Sequence, residues 1–529
     1  MKEYPIIFNQ VLGPVTPGPS SSSTGGPGRL GLLCRDVLGE EPKKVLVEFP
    51  ESGPWKRSYI GMNSDRALIC GLLGRKPPQE RFAFAREDAK AAGMDISFTV
   101  SDFAIDGYNQ GLIRITMDGK NGAHHDLYVN STGGGTVWLQ EIDGVRTDIR
   151  GNHYELLLFT GRIPTAEMQK IATLCAPYAK SLNGMEVLEG TGEYNIVELK
   201  TGEPFDAADL EKIAAIDGVQ FIRVLEPVFP VVLNKDHIPP FETAEEMVEY
   251  AKKNNLNLYQ CALEYESAMS GWTKEAVHDY GKFLWGVITH SIEAGMKREQ
   301  PIEGYVEASA YLLEEHFEKK KGVSMGALDY GIPAAQAVME YANSVGVVVC
   351  LPTGGSAGVV PGALYGAMKQ LDLTEEDMIE GLLAAGMIGG IMARETNFSG
   401  SWGCQAEVGS ATALAAGGLT HVLGGDVQQC CDAASMALQA LLGLVCDSVG
   451  GKVQVPCMAR NIGAVSVAVA CSNSVLAGFP AFVPFSEMIT CMVRVGAAIT
   501  TVGKTCGTCM TPTGIKMTEE SPETAEQGE

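Results

Sequence analysis

Three features of the sequence predict an α+β chain of several domains. Residues 1–150 mix β-branched runs with helical segments and Gly/Ser-rich turns. Residues 151–230 read as β-α-β-β-α-β, and beyond a proline-rich stretch the pattern is helical. The predicted order is an α/β N-terminal domain (1–150), a βαββαβ insertion (151–230), an all-α C-terminal domain (240–517) and an acidic tail (518–529).

In the first domain, PGPSSSSTGGPGRLG (17–31) is a polar loop running into a helix. KVLVEF (44–49) reads as a strand and DRALICGLLG (65–74) as a helix. LIRITM (112–117) and DLYVN (126–130) alternate as strands, and the glycine loop STGGGT (131–136) closes that run. His124 and His125 follow the turn signal NGA and are expected as an exposed hairpin.

The insertion is the most regular segment. HYELLLF, MEVLEG, EYNIVELK and VQFIRVL read as strands. PTAEMQKIATLCAPYAK, with proline in its first turn, and DAADLEKIAAI read as helices. This is the ferredoxin-like order. As a regulatory module it resembles ACT domains, which often bind amino acids; a structural spacer is the alternative.

PVFPVVLNKDHIPP (227–240) is a linker with a high proline content. After it, Thr243 and Glu246 stand at capping-box spacing before a helix. Long Ala/Met/Leu segments punctuated by glycine follow. The tail beyond Lys516 carries glutamates and no basic residue, so it is expected to be disordered.

Composition narrows the function classes. The formal net charge of −24 argues against nucleic acid and anionic membrane surfaces as partners. The N-terminus MKEYPIIFNQ lacks the apolar core of a signal peptide. The apolar tract 464–485 is interrupted by Ser, Asn, Gly and Pro, which predicts a buried helix followed by a loop. A cytoplasmic protein is expected, with a homodimer as its assembly and a small molecule as its partner. In a reducing compartment the fourteen cysteines are mostly core side chains.

Three of them stand apart. Cys404 lies in SGSWGCQAEVGSA (399–411), and Cys446 and Cys457 in GLVCDSVGGKVQVPCMARN (443–461), giving C-x41-C-x10-C. Each lies beside Gly or Pro, where backbone amides are free to face a ligand. That setting suits an iron–sulfur cluster, and three thiolates leave one iron open. The structural alternative is three core cysteines at helix ends.

GCQAEVGSA and GLVCDSVGGKVQVPCMARN resemble the α region of bacterial iron–sulfur-dependent L-serine dehydratases. PGPSSSST is similar to that family's substrate loop, NSTGGGTV to its triple-glycine stretch, and LPTGGSAGVVPG to its PTNGAAG loop. The resemblance covers residues 10–140 and 240–510, a fused form of the family's β and α regions. It implies a [4Fe–4S] cluster on Cys404, Cys446 and Cys457, and β-elimination from L-serine to pyruvate and ammonia. Ser20, Ser21 and Ser22 then act at the substrate, with Thr353, Gly355 and Ser356 binding it. Alternatives are an iron–sulfur lyase acting on another small hydroxy or thiol acid or amino acid, and a non-catalytic sensor of iron–sulfur state and amino acid.

The sequence departs from the family pattern at positions that matter for proton transfer. Ser23 stands where the serine loop usually has His, Met62 in GMNSD where a second His is usual, and Gly354 in place of the loop Asn. Methionine cannot abstract a proton. Glu407, Lys504 and the His124–His125 pair are the candidate substitutes, Lys504 also as a partner for the substrate carboxylate. Asp65 is a substrate-side candidate, with helix capping as its alternative. Cys506 and Cys509 form a single CxxC, read as a further cluster ligand or a packed turn.

Overall fold

Val45, Val47 and Phe49 alternate with Lys44, Leu46 and Glu48, which buries one face of a strand. That strand, Pro42–Pro50, is the second in a six-stranded sheet of the computed structural model. The structure describes residues 4–105, 111–302, 304–396, 398–502 and 511–519. Contacts group the chain into two units: Ser23–Tyr59 with Asn63–His237, and Lys2–Ser22 with Ile60–Met62 and Ile238–Glu529.

The first unit holds two sheets. The larger has the order Asp95–Ser101, Pro42–Pro50, Leu112–Gly119, His124–Gly133, Thr136–Ile142, Val145–Ile149. Its first pair is parallel and the rest antiparallel. The helices Gly26–Leu38 and Ser64–Leu72 pack within the same unit. Asp65 lies in the first turn of the second helix, but its buried carboxylate pairs with Arg86 (2.7 Å) instead of capping.

The smaller sheet is antiparallel, in the order Val219–Leu225, Tyr154–Thr160, Asn195–Thr201, Leu182–Leu188. The helices Thr165–Cys175 and Ala207–Ala214 complete the expected βαββαβ sequence. Leu156, Leu158, Val197 and Leu199 on one sheet face bury against Met168, Ile171 and Ile213 of the helices. Side chains of this kind each contribute roughly 1.5–3 kcal/mol by burial. The expected exposed histidine pair is corrected: His124 is exposed, whereas His125 is buried and its Nδ1 bonds Asp143 (2.7 Å). Strand alternation from the turn explains this, since neighbouring side chains point to opposite faces.

The second unit is helical, and its first helix Ala244–Asn254 opens on the Thr243–Glu246 capping box. The expectation of an all-α domain is corrected by one strand pair. Val15–Pro17 runs antiparallel to Val347–Val349, with Val15 opposite Val349. The N-terminal segment is also held by Glu266, buried in helix Leu258–Ser270, which accepts from the Ile7 N–H (2.8 Å). The apolar tract forms the last part of helix Cys457–Leu476 and a loop before helix Phe485–Val502. No described helix is long and apolar enough to cross a membrane.

Candidate active site

The strand pair sets the site's first wall. It feeds the chain into the serine loop on one side and into the glycine loop 351–358 on the other. There the Gly354 N–H donates to Ser21 Oγ (3.4 Å). Ser21 is buried, and Ser20 and Ser22 are half-buried. A Cβ on Gly354 would stand 2.6 Å from Pro19 O and 2.9 Å from Ser21 N, so only glycine allows this approach. Gly354→Ala is therefore expected to push the two loops apart, costing about 1–3 kcal/mol of stability and at least about tenfold in kcat/KM. Thermal melts and turnover assays check both; an unchanged kcat/KM would separate the loop contact from catalysis.

Within the glycine loop, Thr353 and Ser356 hydroxyls bond each other (3.1 Å), and Ser356 also donates to Leu351 O (3.1 Å). Ser356 is thus committed to the loop's own shape. Asn461 ties the loop to the cysteine segment. Its Nδ2 donates to Gly355 O (2.8 Å) and Cys457 O (2.9 Å), and its Oδ1 accepts from the Gly358 N–H (3.1 Å).

The three cysteines arrive from separate elements. Cys404 precedes the π-turn Gln405–Gly409, which continues as helix Ser410–Val422. Gln405 fixes that corner, donating to Met492 O (2.9 Å) and accepting from the Gly443 N–H (2.9 Å). Cys446 sits in the irregular segment after helix Val427–Leu441, and Cys457 starts the helix after Pro456. Cys404 is buried, Cys457 half-buried and Cys446 exposed. Yet protein surrounds all three closely enough to raise their pKa values.

Their electrostatics show convergence. Burial, then the Glu407 charge, pushes the Cys404 thiol up to about 11. Burial, then Glu407 and Cys404, pushes Cys446 up to about 12. Cys457 is raised well above the ordinary thiol value by burial, Cys404, Glu407 and Cys446. Cys446 therefore feels Cys404, and Cys457 feels both of the others. Glu407 sits among them, pushed up to about 7 by burial while a Thr353 hydrogen bond and Arg460 pull it down. The Cβ position of Gly400 lies 2.9 Å from Glu407 Oε2 and 3.6 Å from Cys446 Sγ. Among the described residues, no three His, Cys, Asp or Glu side chains close in as tightly as a single metal ion requires.

Arg460 is the cation of this cluster. It bonds the Cys404 side chain, Asp447 Oδ1 (2.7 Å) and Val445 O (2.8 Å), fixing both chain segments that carry the first two cysteines. Sequence reasoning passed over Arg460, Asn461 and Gln405. A signal was present: Arg460 and Asn461 stand three and four residues beyond Cys457, one turn along the same helix face. Of the remaining candidates, Asp65 and the histidine pair belong to the first unit. Lys504, Cys506 and Cys509 lie outside the described residues.

The sequence model described as serine dehydratase alpha chain matches residues 253–527, just over half of the chain. The chain belongs to the serine dehydratase alpha chain family. It is accordingly an enzyme of the lyase class. The family segment contains all three cysteines, the glycine loop, Glu407 and Arg460; the serine loop precedes it. Among relatives, the chain is 31% identical over 281 residues to "Probable L-serine dehydratase, alpha chain" of Bacillus subtilis, covering 52% of this chain and 94% of that protein. It is 38% identical over 229 residues to "L-serine dehydratase" of Haemophilus influenzae, covering 42% and 50% respectively. It is 32% identical over 256 residues to "L-serine dehydratase, alpha chain" of Peptoniphilus asaccharolyticus, covering 48% and 88%. The match thus spans most of the two alpha chains and half of the Haemophilus protein.

Proposed function

We propose that the chain is a [4Fe–4S]-dependent L-serine ammonia-lyase that converts L-serine to pyruvate and ammonia. The observation that carries this reading is the meeting of Cys404, Cys446 and Cys457 around Glu407, with the serine and glycine loops adjoining. The donor set fits the cluster. Three neighbouring thiols ionise together only when a cation enters, and Arg460 supplies one charge for three thiols and a carboxylate. A cubane also spaces its thiolates more widely than a single ion does. When bound, the cluster supplies an open iron, a Lewis acid toward the departing hydroxyl.

The chain's own residues do the rest. Ser21 and the glycine loop at Gly355 receive the substrate carboxylate, and Asn461 holds that loop against the helix bearing Cys457. Glu407, through Thr353, couples the loop to the cysteine corner, and its Oε1, near Gly355, is placed to hold a proton there. Expulsion of hydroxide and loss of the Cα proton leave 2-aminoacrylate, which hydrolyses to the products. Lys504 is proposed as a further carboxylate partner. The βαββαβ module is proposed as an ACT-like regulatory insertion, and the protein as a cytoplasmic homodimer.

A second substrate is favoured by Ser23, Met62 and Gly354, which replace family His and Asn positions. The test is anaerobic: purified chain is given L-serine, L-threonine or L-cysteine, and keto acid and ammonia are measured. Keto acid from L-serine at the highest kcat/KM is expected. Preference for another amino acid would move the assignment to that substrate, and a spectral change without turnover would replace the lyase with a sensor.

A further inference from the structure

The first unit contains a recess of about 750 Å³, a size ordinary for a small-molecule site. It is bounded by the end of helix Gly26–Leu38, the turn before His124 and the strand Val219–Leu225. Its wall is aromatic. Phe221 stacks on Phe159 at 4.4 Å between centroids and meets Tyr194 edge-on at 5.5 Å.

Arg223 lies across the Phe221 ring at 4.6 Å. Its Nε donates to Val37 O (2.8 Å) and its Nη1 to Ile222 O (3.0 Å). Among the described residues Nη2 has no partner. Gly39 makes room for this side chain: its φ is +72°, and a Cβ there would stand 2.5 Å from Arg223 Nε.

The acidic groups around the recess are largely committed. Glu40 accepts from the Asn121 (2.7 Å) and Ala123 (2.8 Å) amides. Asp143 accepts from the Asp126 N–H (2.8 Å) and bonds His125 Nδ1 (2.7 Å), which turns His125 Nε2 away from it. Glu193 stands exposed at the rim and disfavours a ligand of high negative charge. Glu40 acts on Arg223 by charge but makes no hydrogen bond to it, so what faces the recess is a guanidinium edge without a hydrogen-bonded carboxylate, a phenol, an imidazole and an aromatic wall.

We propose that this recess is a second small-molecule site, for a singly charged carboxylic acid with an apolar or aromatic body. The carboxylate would take Arg223 Nη2 and the Tyr194 hydroxyl, and the body would lie on Phe221. Nothing in this site depends on the cysteines, and its test reads binding alone.

Isothermal titration of the full chain compares 3-phenylpropionate with 3-phenylpropylamine, which has the same ring and the opposite charge. Saturable binding of the acid and none of the amine is expected. Arg223→Gln should weaken the acid by at least about tenfold and Tyr194→Phe by about threefold or more. Arg223 also ties its strand to the helix, so Tyr194→Phe, which removes one oxygen, serves where Arg223→Gln fails to fold. No saturable heat from the acid at millimolar concentration, equal binding of the amine, or Tyr194→Phe binding as tightly as wild type would overturn the assignment.

Discussion

Cys457→Ala should leave the helical unit folded and abolish L-serine turnover. The residue opens helix Cys457–Leu476, and the bond that anchors it, from Asn461 Nδ2 to Cys457 O, uses backbone and survives the change. Removing one sulfur from a half-buried position costs on the order of 1 kcal/mol. Catalytically the loss is of another size. A Lewis-acid contribution of several kcal/mol corresponds to a rate loss on the order of a thousandfold or more. Circular dichroism and anaerobic pyruvate formation, measured on one preparation, check the pair of outcomes. Retained turnover would show that Cys457 is not a cluster ligand.

Glu155→Gln should raise thermal stability at neutral and alkaline pH. Glu155 and Glu198 lie on the neighbouring strands Tyr154–Thr160 and Asn195–Thr201, and both are buried. Burial, then the Glu198 charge, holds the Glu155 carboxyl well above the ordinary glutamate range. The four carboxylate oxygens of Glu155 and Glu198 are buried without a hydrogen-bond partner, and Lys200 Nζ lies 3.6 Å from Glu198 Oε2. Burial also raises Glu198, partly offset by the charge of Lys200.

The sign follows from linkage. A carboxyl whose folded pKa is raised contributes stability that is complete below its unfolded value. That stability is lost as pH rises through the folded value, at up to about 1.4 kcal/mol per pH unit. The wild type should therefore melt at falling temperature as pH rises above the ordinary glutamate range. The neutral side-chain amide introduced by Glu155→Gln removes the titration and one of the two buried acids, so the variant's profile should be flatter and higher. Melting curves from acid to alkaline pH decide it; parallel profiles would show that Glu155 is ionised in the folded chain.

The local grammar of the chain was legible where burial has a period. HYELLLF and EYNIVELK read as strands because every second side chain enters a core, and the Thr243–Glu246 cap followed from residue spacing. Long-range pairing carried no such signal. Three residues, Val15–Pro17, meet Val347–Val349 across most of the chain, and neither run is long enough to show alternation. Buried polar pairs were equally silent. Glu155, Glu198 and His125 look like surface residues until strands from distant segments cover them. In the candidate site, cysteine spacing carried no sign of the groups around the three thiols. Arg460 and Asn461 stood in plain view one turn beyond Cys457, and their roles emerged only with the partners Cys404, Asp447 and Gly355 in place.

Iron and acid-labile sulfide in anaerobically purified protein test the cluster most directly, together with the EPR spectrum of the reduced sample. About four of each per chain are expected, with a signal lost in Cys404→Ala, Cys446→Ala and Cys457→Ala alike. Iron-free protein that still turns over L-serine would contradict the assignment, as would a cluster that persists after all three substitutions.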